Sequence, residues 1–383
     1  MTDQSQDENQ ILRDTVREFL KREVEPISSK IDSQDYFPAD VFKKMGKMGF
    51  LGVTIPEEYG GSALGYEAQA MIEEEIGYYS ASLALSYGAH SNLCLDNLYR
   101  NGSEELRENY VPKLSSGEFI GSLALTEPES GSDALNMKTV STENGNGFSI
   151  TGSKTFITNA PVADLFLVYS RFGDGYNAYC VLSDDKGFSR GKKFDKMGMR
   201  GSPTGEIYFD SLQIPHNRLI GKRGDGKRII LSGLNSERVI LSFIFIGVAR
   251  RALELALKYS TERKQSGKFL YEFQLIQEKL AYMYTRLRTS KLLAEDSLGL
   301  LKRDPLDSVS AASAILHATE SAEYIAREAI QIFGGYGYIK DNEPERLMRD
   351  AILGQIGAGT TEIRKRLVAL GIVKQYREGK VRL

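Results

Sequence analysis

The sequence predicts an α+β chain in three successive parts: a helical domain over residues 1–119, an antiparallel β domain over 120–225, and a helical bundle, read as four-helix, over 226–383. Three observations predict it. Apolar residues recur at helical spacing up to about Phe119, change to strand alternation there, and return to helical spacing near Lys227. Gly and Asn separate the strand-like pieces. No helix-length pattern lies between them, which disfavours a parallel βαβ arrangement.

The elements follow in order. Ile11, Val16, Phe19 and Leu20 are read as one helical stripe with Lys and Glu between them, and Pro26 and Pro38 punctuate the region. Ser103 before Glu105 and Leu106 reads as a helix start. In the middle part, Phe148–Thr151 alternates and stops at Gly152. Leu165–Tyr169 reads as a short buried strand, and Glu206–Phe209 leads on to Leu212–Pro215. Long helices are expected over Lys227–Lys258, Phe273–Leu300 and Leu306–Ile332, with a last one over Thr361–Leu370; short connections make this a bundle.

With 383 residues, 41% of them hydrophobic, the chain has enough apolar side chains for more than one core and is not a disordered chain. The net charge of -2 gives no argument for nucleic acid or an anionic membrane as partner, and no apolar run is long enough to span a bilayer. The polar N-terminus, Met1–Gln10, does not read as a secretory signal. Two cysteines, Cys94 and Cys180, without CxxC spacing, read as buried small hydrophobes in a reducing, cytoplasmic compartment. There is no GxGxxG, no GxxxxGK[ST] and no GxSxG. His90, His216 and His317 lack ligand spacing, so no metal site is expected.

The most informative single residue is Glu237. Ile230, Leu234, Leu241, Ile244 and Val248 form an apolar helix face, and Glu237 falls on it, three after Leu234 and four before Leu241. Burial penalises the charged carboxylate, raises its pKa and makes it a candidate general base. A buried ion pair with Arg238 or Arg250 is the structural alternative.

Six segments in order resemble the signatures of the acyl-CoA dehydrogenase family: Leu123–Asp133, Ile150–Asn159, Met197–Ser202, Phe273-Gln274, Gln331–Gly335 and Gly359–Ile363. Together they span essentially the whole chain. The resemblance implies that family's fold, an FAD cofactor, an acyl-CoA substrate, an electron-transfer flavoprotein as acceptor and a homotetramer. Ser86–Cys94, Met283–Arg286 and Ile356–Thr360 resemble the branch of the family acting on isovaleryl-CoA, a short branched substrate. Most members carry the catalytic glutamate directly before Gly359. Here that position is Ala358, and the resemblance to the isovaleryl branch moves the base onto Glu237 in Ser232–Arg238.

The resemblance further implies that Glu237 takes the α-proton while the β-hydride passes to the flavin, with the Ala358 N–H on the thioester carbonyl. It places Leu123, Leu125, Thr126, Ser132, Phe156, Ile157 and Thr158 around the flavin ring. Arg263, Gln274, Gln331, Ile332, Gly334 and Gly335 fall along the pyrophosphate and adenosine end of FAD in a neighbouring subunit, and Thr360 and Glu362 complete the cofactor site. Ser132, Ser189, Asn235, Ser236, Arg238 and Gly357 match acyl-CoA contacts. Phe156 stands where the family usually has Trp, Ser266 where it usually has Phe, and Arg228 where the isovaleryl branch has Tyr. Two other readings are an acyl-CoA oxidase, whose known forms are usually longer, and a DNA-binding relative using the basic tail Ile363–Leu383, against which the overall charge argues.

Overall fold

The computed structural model describes residues 3–380; Met1 and Thr2 of the polar N-terminus and residues 381–383 of the basic tail lie outside the described residues. The N-terminal part holds α1 (Asp3–Glu23), α2 (Ser28–Ser33), α3 (Ala39–Lys47), α4 (Gly65–Tyr79), α5 (Ala81–Gly88), a π-helical stretch Ala89–Asp96, α6 (Asn97–Asn101) and α7 (Glu104–Ser115). Ser103 caps α7, its hydroxyl accepting from Leu106 N at 3.3 Å. Val16, Phe19 and Leu20 are buried, but Ile11 faces solvent. The step of five from Ile11 to Val16 turns the helix by about 500°, which leaves Ile11 off the buried face.

The middle part holds β1 (Gly121–Ala124), β2 (Val140–Asn144), β3 (Gly147–Thr158), β4 (Leu165–Phe172), β5 (Gly175–Leu182), β6 (Phe188–Lys193), β7 (Thr204–Ile214) and β8 (Leu219–Ile220). They form one eight-stranded sheet in the order β6-β7-β3-β2-β4-β5-β8, with β1 beside β4. The sheet is not wholly antiparallel: β1 runs parallel to β4, and β2 meets β4 in parallel at Val140 and Arg171. The chain reaches β1 directly from α7 and returns only after β2 and β3, so β1 and β4 need no hairpin between them. Gly152 does not end its strand. It faces a bulge in β7: Ile150 pairs with Leu212 and Gly152 with Phe209, so β7 holds the extra residue, where Ser211 has φ +50°. On its other side a Cβ at Gly152 would stand 2.5 Å from Thr139 Oγ1, so the glycine serves close packing against β2.

The C-terminal part holds α8 (Gly226–Glu262), a small hairpin of β9 (Lys264–Gln265) and β10 (Lys268–Phe269), α9 (Gln274–Leu301), α10 (Ser308–Phe333), α11 (Gly335–Tyr338), α12 (Pro344–Ile352) and α13 (Thr361–Arg377). The last helix passes through Gly371 rather than stopping near it. A Cβ at Gly371 would sit 2.2 Å from Val309 Cγ2, so that glycine serves close packing on α10.

Helix α8 is buried without a break from Arg238 to Ala249, as a helix apolar on all sides must be. It crosses α4 so closely that a Cβ on Gly77 would stand 2.6 Å from Ile244 O, and one on Gly247 2.3 Å from Glu74 O. The α4–α8 crossing therefore joins the first and third parts. His90 ties the first to the second: its Nδ1 accepts from Gly121 N at 2.8 Å, and its Nε2 lies 3.0 Å from Leu114 O. Cys94 and Cys180 are free and buried.

Candidate active site

Where the three parts meet, a narrow cavity of about 40 Å³ opens against α8. Glu237, Ile240 and Leu241 form one wall; Glu73 of α4, Leu85 of α5 and Thr158 at the end of β3 form the others. Glu237 lines this cavity and is half-buried. Loss of hydration raises its carboxyl pKa to about 7, against the opposing pull of Arg238 and Arg364. No ion pair forms on it among the described residues. Arg250 instead pairs with Glu74 at 2.8 Å and Glu75 at 2.6 Å. Burial alone would raise the Glu75 pKa, but Arg250 and Arg17 bring it down to about 2. Arg238 turns to Asn235 Oδ1 at 3.2 Å and to Ala358 O at 3.3 Å. The ion-pair reading of Glu237 is thus overturned: an unpaired carboxyl with a pKa near 7, facing the cavity, can take a proton at pH 7.

The loop bearing Gly357, Ala358 and Gly359 is held by Arg364 of α13, a fully buried arginine. Arg364 donates to Gly354 O at 2.6 Å, to Thr319 Oγ1 at 3.2 Å and to Gly357 O. Gly357 O and Ala358 N–H belong to one trans peptide, and they point in opposite directions. Fixing the carbonyl on Arg364 therefore aims the Ala358 N–H away from it. Among the described residues that N–H has no acceptor. Ala358 has φ +55° and Gly359 φ +89°, so two successive left-handed residues shape the turn. Thr360 caps α13, its hydroxyl accepting from Ile363 N at 3.4 Å, and Glu362 lies exposed in the first turn.

The remaining expected residues fall into three groups. Thr158 lines the Glu237 cavity, beside buried Ile157 and exposed Phe156. Phe156 has φ +56°, and its ring centroid lies 5.2 Å from that of Phe194. This uncovered aromatic platform can take a flat ring system. Leu123, Leu125 and Thr126 run along β1 and its exit, with Thr126 O accepting from Thr155 N at 2.9 Å. Buried Lys154 pairs with Glu127 at 2.8 Å, and Glu127 also accepts from Thr139 N at 3.0 Å, so the pair fixes the loop that carries Ser132. Ser132 and Ser189 are exposed, whereas Asn235 and Ser236 are buried and already bonded, to Pro305 O at 3.2 Å and from Asn92 Nδ2 at 3.0 Å.

The third group forms an open groove of about 550 Å³ that shares no lining residue with the Glu237 cavity. Arg263, Ile332, Gly334 and Gly335 line it. No carboxylate pairs with Arg263 among the described residues, and a Cβ would meet nothing at either glycine. A free guanidinium beside bare backbone suits a diphosphate. Gln274 and Gln331 are exposed but do not line the groove.

Comparison with known families accounts for this arrangement. The acyl-CoA dehydrogenase N-terminal, middle and C-terminal domains match residues 6–118, 122–212 and 224–373. The chain belongs to the acyl-CoA dehydrogenase family. It is 40% identical over 376 residues to a mitochondrial isovaleryl-CoA dehydrogenase of Oryza sativa subsp. japonica, a match covering 96% of this chain and 92% of the relative. A glutaryl-coenzyme A dehydrogenase in complex with glutaryl-CoA superposes with a TM-score of 0.93 at 33% identity, over 96% of this chain and 95% of that one. The FAD complex of PigA superposes at 0.92 with 29% identity, over 97% and 98%. The protein is an FAD-dependent oxidoreductase, and the Phe156 platform and the Arg263 groove fit the ring and the diphosphate of that cofactor.

Two features of this acyl-CoA dehydrogenase family member escaped the sequence reading. Arg364 falls in the basic tail Ile363–Leu383, yet among the described residues it is the largest fully buried side chain. Glu73 was not singled out at all. A signal existed in Glu73-Glu74-Glu75: successive helix residues point about 100° apart, so three carboxylates cannot share one exposed face.

Proposed function

We propose that this protein oxidises a short branched acyl-CoA to its 2-enoyl-CoA, with Glu237 as the base. The observation that carries the reading is an unpaired carboxyl with a pKa raised to about 7 on the wall of a cavity, while the next residue, Arg238, holds the loop of the acceptorless Ala358 N–H through Ala358 O at 3.3 Å. A thioester α-proton is a weak acid. The Ala358 N–H stabilises negative charge on the thioester oxygen, and Glu237 removes the α-proton as that charge develops. FAD, when bound, accepts the hydride from the β-carbon. Two C–H bonds are broken, a C=C bond forms, and the proton stays on Glu237. The apolar walls Leu85, Ile240 and Leu241 exclude water from the reacting carbons.

The case for a branched chain rests on Gly357. A Cβ there would meet nothing closer than Leu353 O at 3.5 Å, so crowding does not demand glycine, and its bareness leaves width beside Ala358. Among unsubstituted substrates, isovaleryl-CoA is expected to give a higher kcat/KM than octanoyl-CoA, and Gly357→Tyr to depress isovaleryl-CoA turnover more than butyryl-CoA turnover. Steady-state assays with an artificial electron acceptor test this; octanoyl-CoA as the better substrate would refute the pocket argument. Membership of the family supports an electron-transfer flavoprotein as physiological acceptor and a tetramer in which the Arg263 groove meets a neighbour's cofactor.

A further inference from the structure

The Glu237 cavity contains a second carboxyl that the mechanism does not use. Glu73 is wholly buried, and neither of its oxygens has a hydrogen-bond partner. The cations near its helix are spent elsewhere: Arg13, Arg17 and Arg250 serve Glu75, and Lys291 serves Glu74. The Tyr87 hydroxyl donates to Phe50 O at 3.1 Å and leaves Glu73 unserved. Asn92, which also lines the cavity, donates its amide to Ser236 and Gln69, so its Oδ1 is unpartnered too. Three buried oxygens therefore lack a hydrogen-bond partner. Buried polar groups are ordinarily paired, and an unpaired one costs stability unless a ligand or water completes it.

The site is built around this carboxyl. Gly88 lies at the end of α5, where glycine weakens a helix. A Cβ there would stand 2.6 Å from Glu73 Oε1, so any larger residue would collide with the carboxyl. Desolvation holds the Glu73 pKa well above the usual carboxylate range, which favours the neutral form, and that form has one O–H to donate and one oxygen to accept. A neutral partner is cheaper to bring into such a cavity than an ion.

Resting on the dehydrogenation reading above, we propose that Glu73, with Asn92, selects acyl-CoA substrates carrying a hydroxyl beyond the β-carbon. The hydroxyl donates to Glu73 or Asn92 Oδ1 and accepts from the Glu73 carboxyl, while Glu237 works on the α-carbon of the same chain. A substrate ending in methyl leaves the Glu73 carboxyl and Asn92 Oδ1 without a partner, and sites with buried polar groups discriminate strongly against such analogues.

The test compares kcat/KM for 4-hydroxybutyryl-CoA and pentanoyl-CoA, which differ by hydroxyl for methyl, in the FAD-loaded wild type, Glu73→Gln and Glu73→Leu. The ratio is read within each protein, and flavin content is measured to confirm folding. The wild type is expected to favour the hydroxylated substrate at least tenfold, Glu73→Gln to keep part of that preference, and Glu73→Leu to reverse it. A wild-type ratio at or below one overturns the proposal, as does a preference that both variants retain. If Glu73→Leu does not fold, the wild-type ratio and Glu73→Gln decide. A wild type that oxidises pentanoyl-CoA without preference overturns only the Glu73 assignment, with water as the occupant beside Glu73. Failure of any acyl-CoA to reduce the flavin overturns the dehydrogenation reading itself.

Discussion

Two glutamates in one cavity were legible to different degrees. Glu237 showed itself because a single carboxylate interrupts an apolar stripe of regular spacing, of which α8 buries Ile230, Leu241, Ile244 and Val248 while Leu234 and Glu237 are half-buried. Glu73 stayed hidden because its two neighbours are ordinary ion-pair partners. Which member of a Glu-Glu-Glu run turns inward depends on the crossing of α4 and α8, and that is a tertiary fact. At this scale the pKa of Glu237 carries a prediction. Its folded value is raised to about 7, so the base form is the minority below that pH and the majority above it. In the free enzyme, kcat/KM is therefore expected to rise about tenfold per pH unit below pH 7 and to level off above it. A profile flat from pH 5.5 to 8.5 would show that no group of this pKa acts as the base.

At the scale of elements, the long helices were readable to within a few residues because period and length agree, whereas strand ends were not. Gly152 and Gly371 look like stops in sequence, but one lies mid-strand opposite a bulge in β7 and the other makes a helix contact. The loop before α13 was legible only through resemblance, since nothing local shows that Arg364 turns inward. Its grip on Gly357 O sets the direction of the Ala358 N–H. Arg364→Gln is expected to lower kcat by about 10–100-fold, less than the roughly 10²–10³-fold cost of removing an oxyanion donor outright, because the donor is displaced and not deleted. Arg364→Lys is expected to recover only part, because Lys lacks the planar fork. Rapid-reaction kinetics separate this from a folding defect: the positioning role predicts loss in kcat with KM nearly unchanged. Normal flavin reduction in Arg364→Gln would contradict it.

At the scale of the whole molecule, the three-part order was visible from periodicity alone, while the parallel contacts of β1 and β2 with β4 were not, because pairing partners leave no trace in spacing. The surface still presents large apolar side chains, among them Leu275, Tyr282, Tyr284 and Leu292 on α9 and Ile372, Val373 and Tyr376 on α13. Such a concentration on two helices is what an oligomer interface would cover. Light scattering of the flavin-loaded protein is expected to give four times the 42.6 kDa chain mass. A stable monomer with full flavin content would contradict the placement of the Arg263 groove against a neighbour's cofactor.

The central claim is that Glu237 alone removes the α-proton, since Ala358 cannot. Anaerobic stopped-flow measurement of flavin reduction in Glu237→Gln tests it most directly, with the same acyl-CoA used for wild type and its binding followed separately. Glutamine keeps the shape and removes the base. The account predicts retained flavin and acyl-CoA binding with reduction slowed by about 10²–10⁴-fold. Reduction within about tenfold of wild type, a barrier change of only ~1.4 kcal/mol, would contradict it.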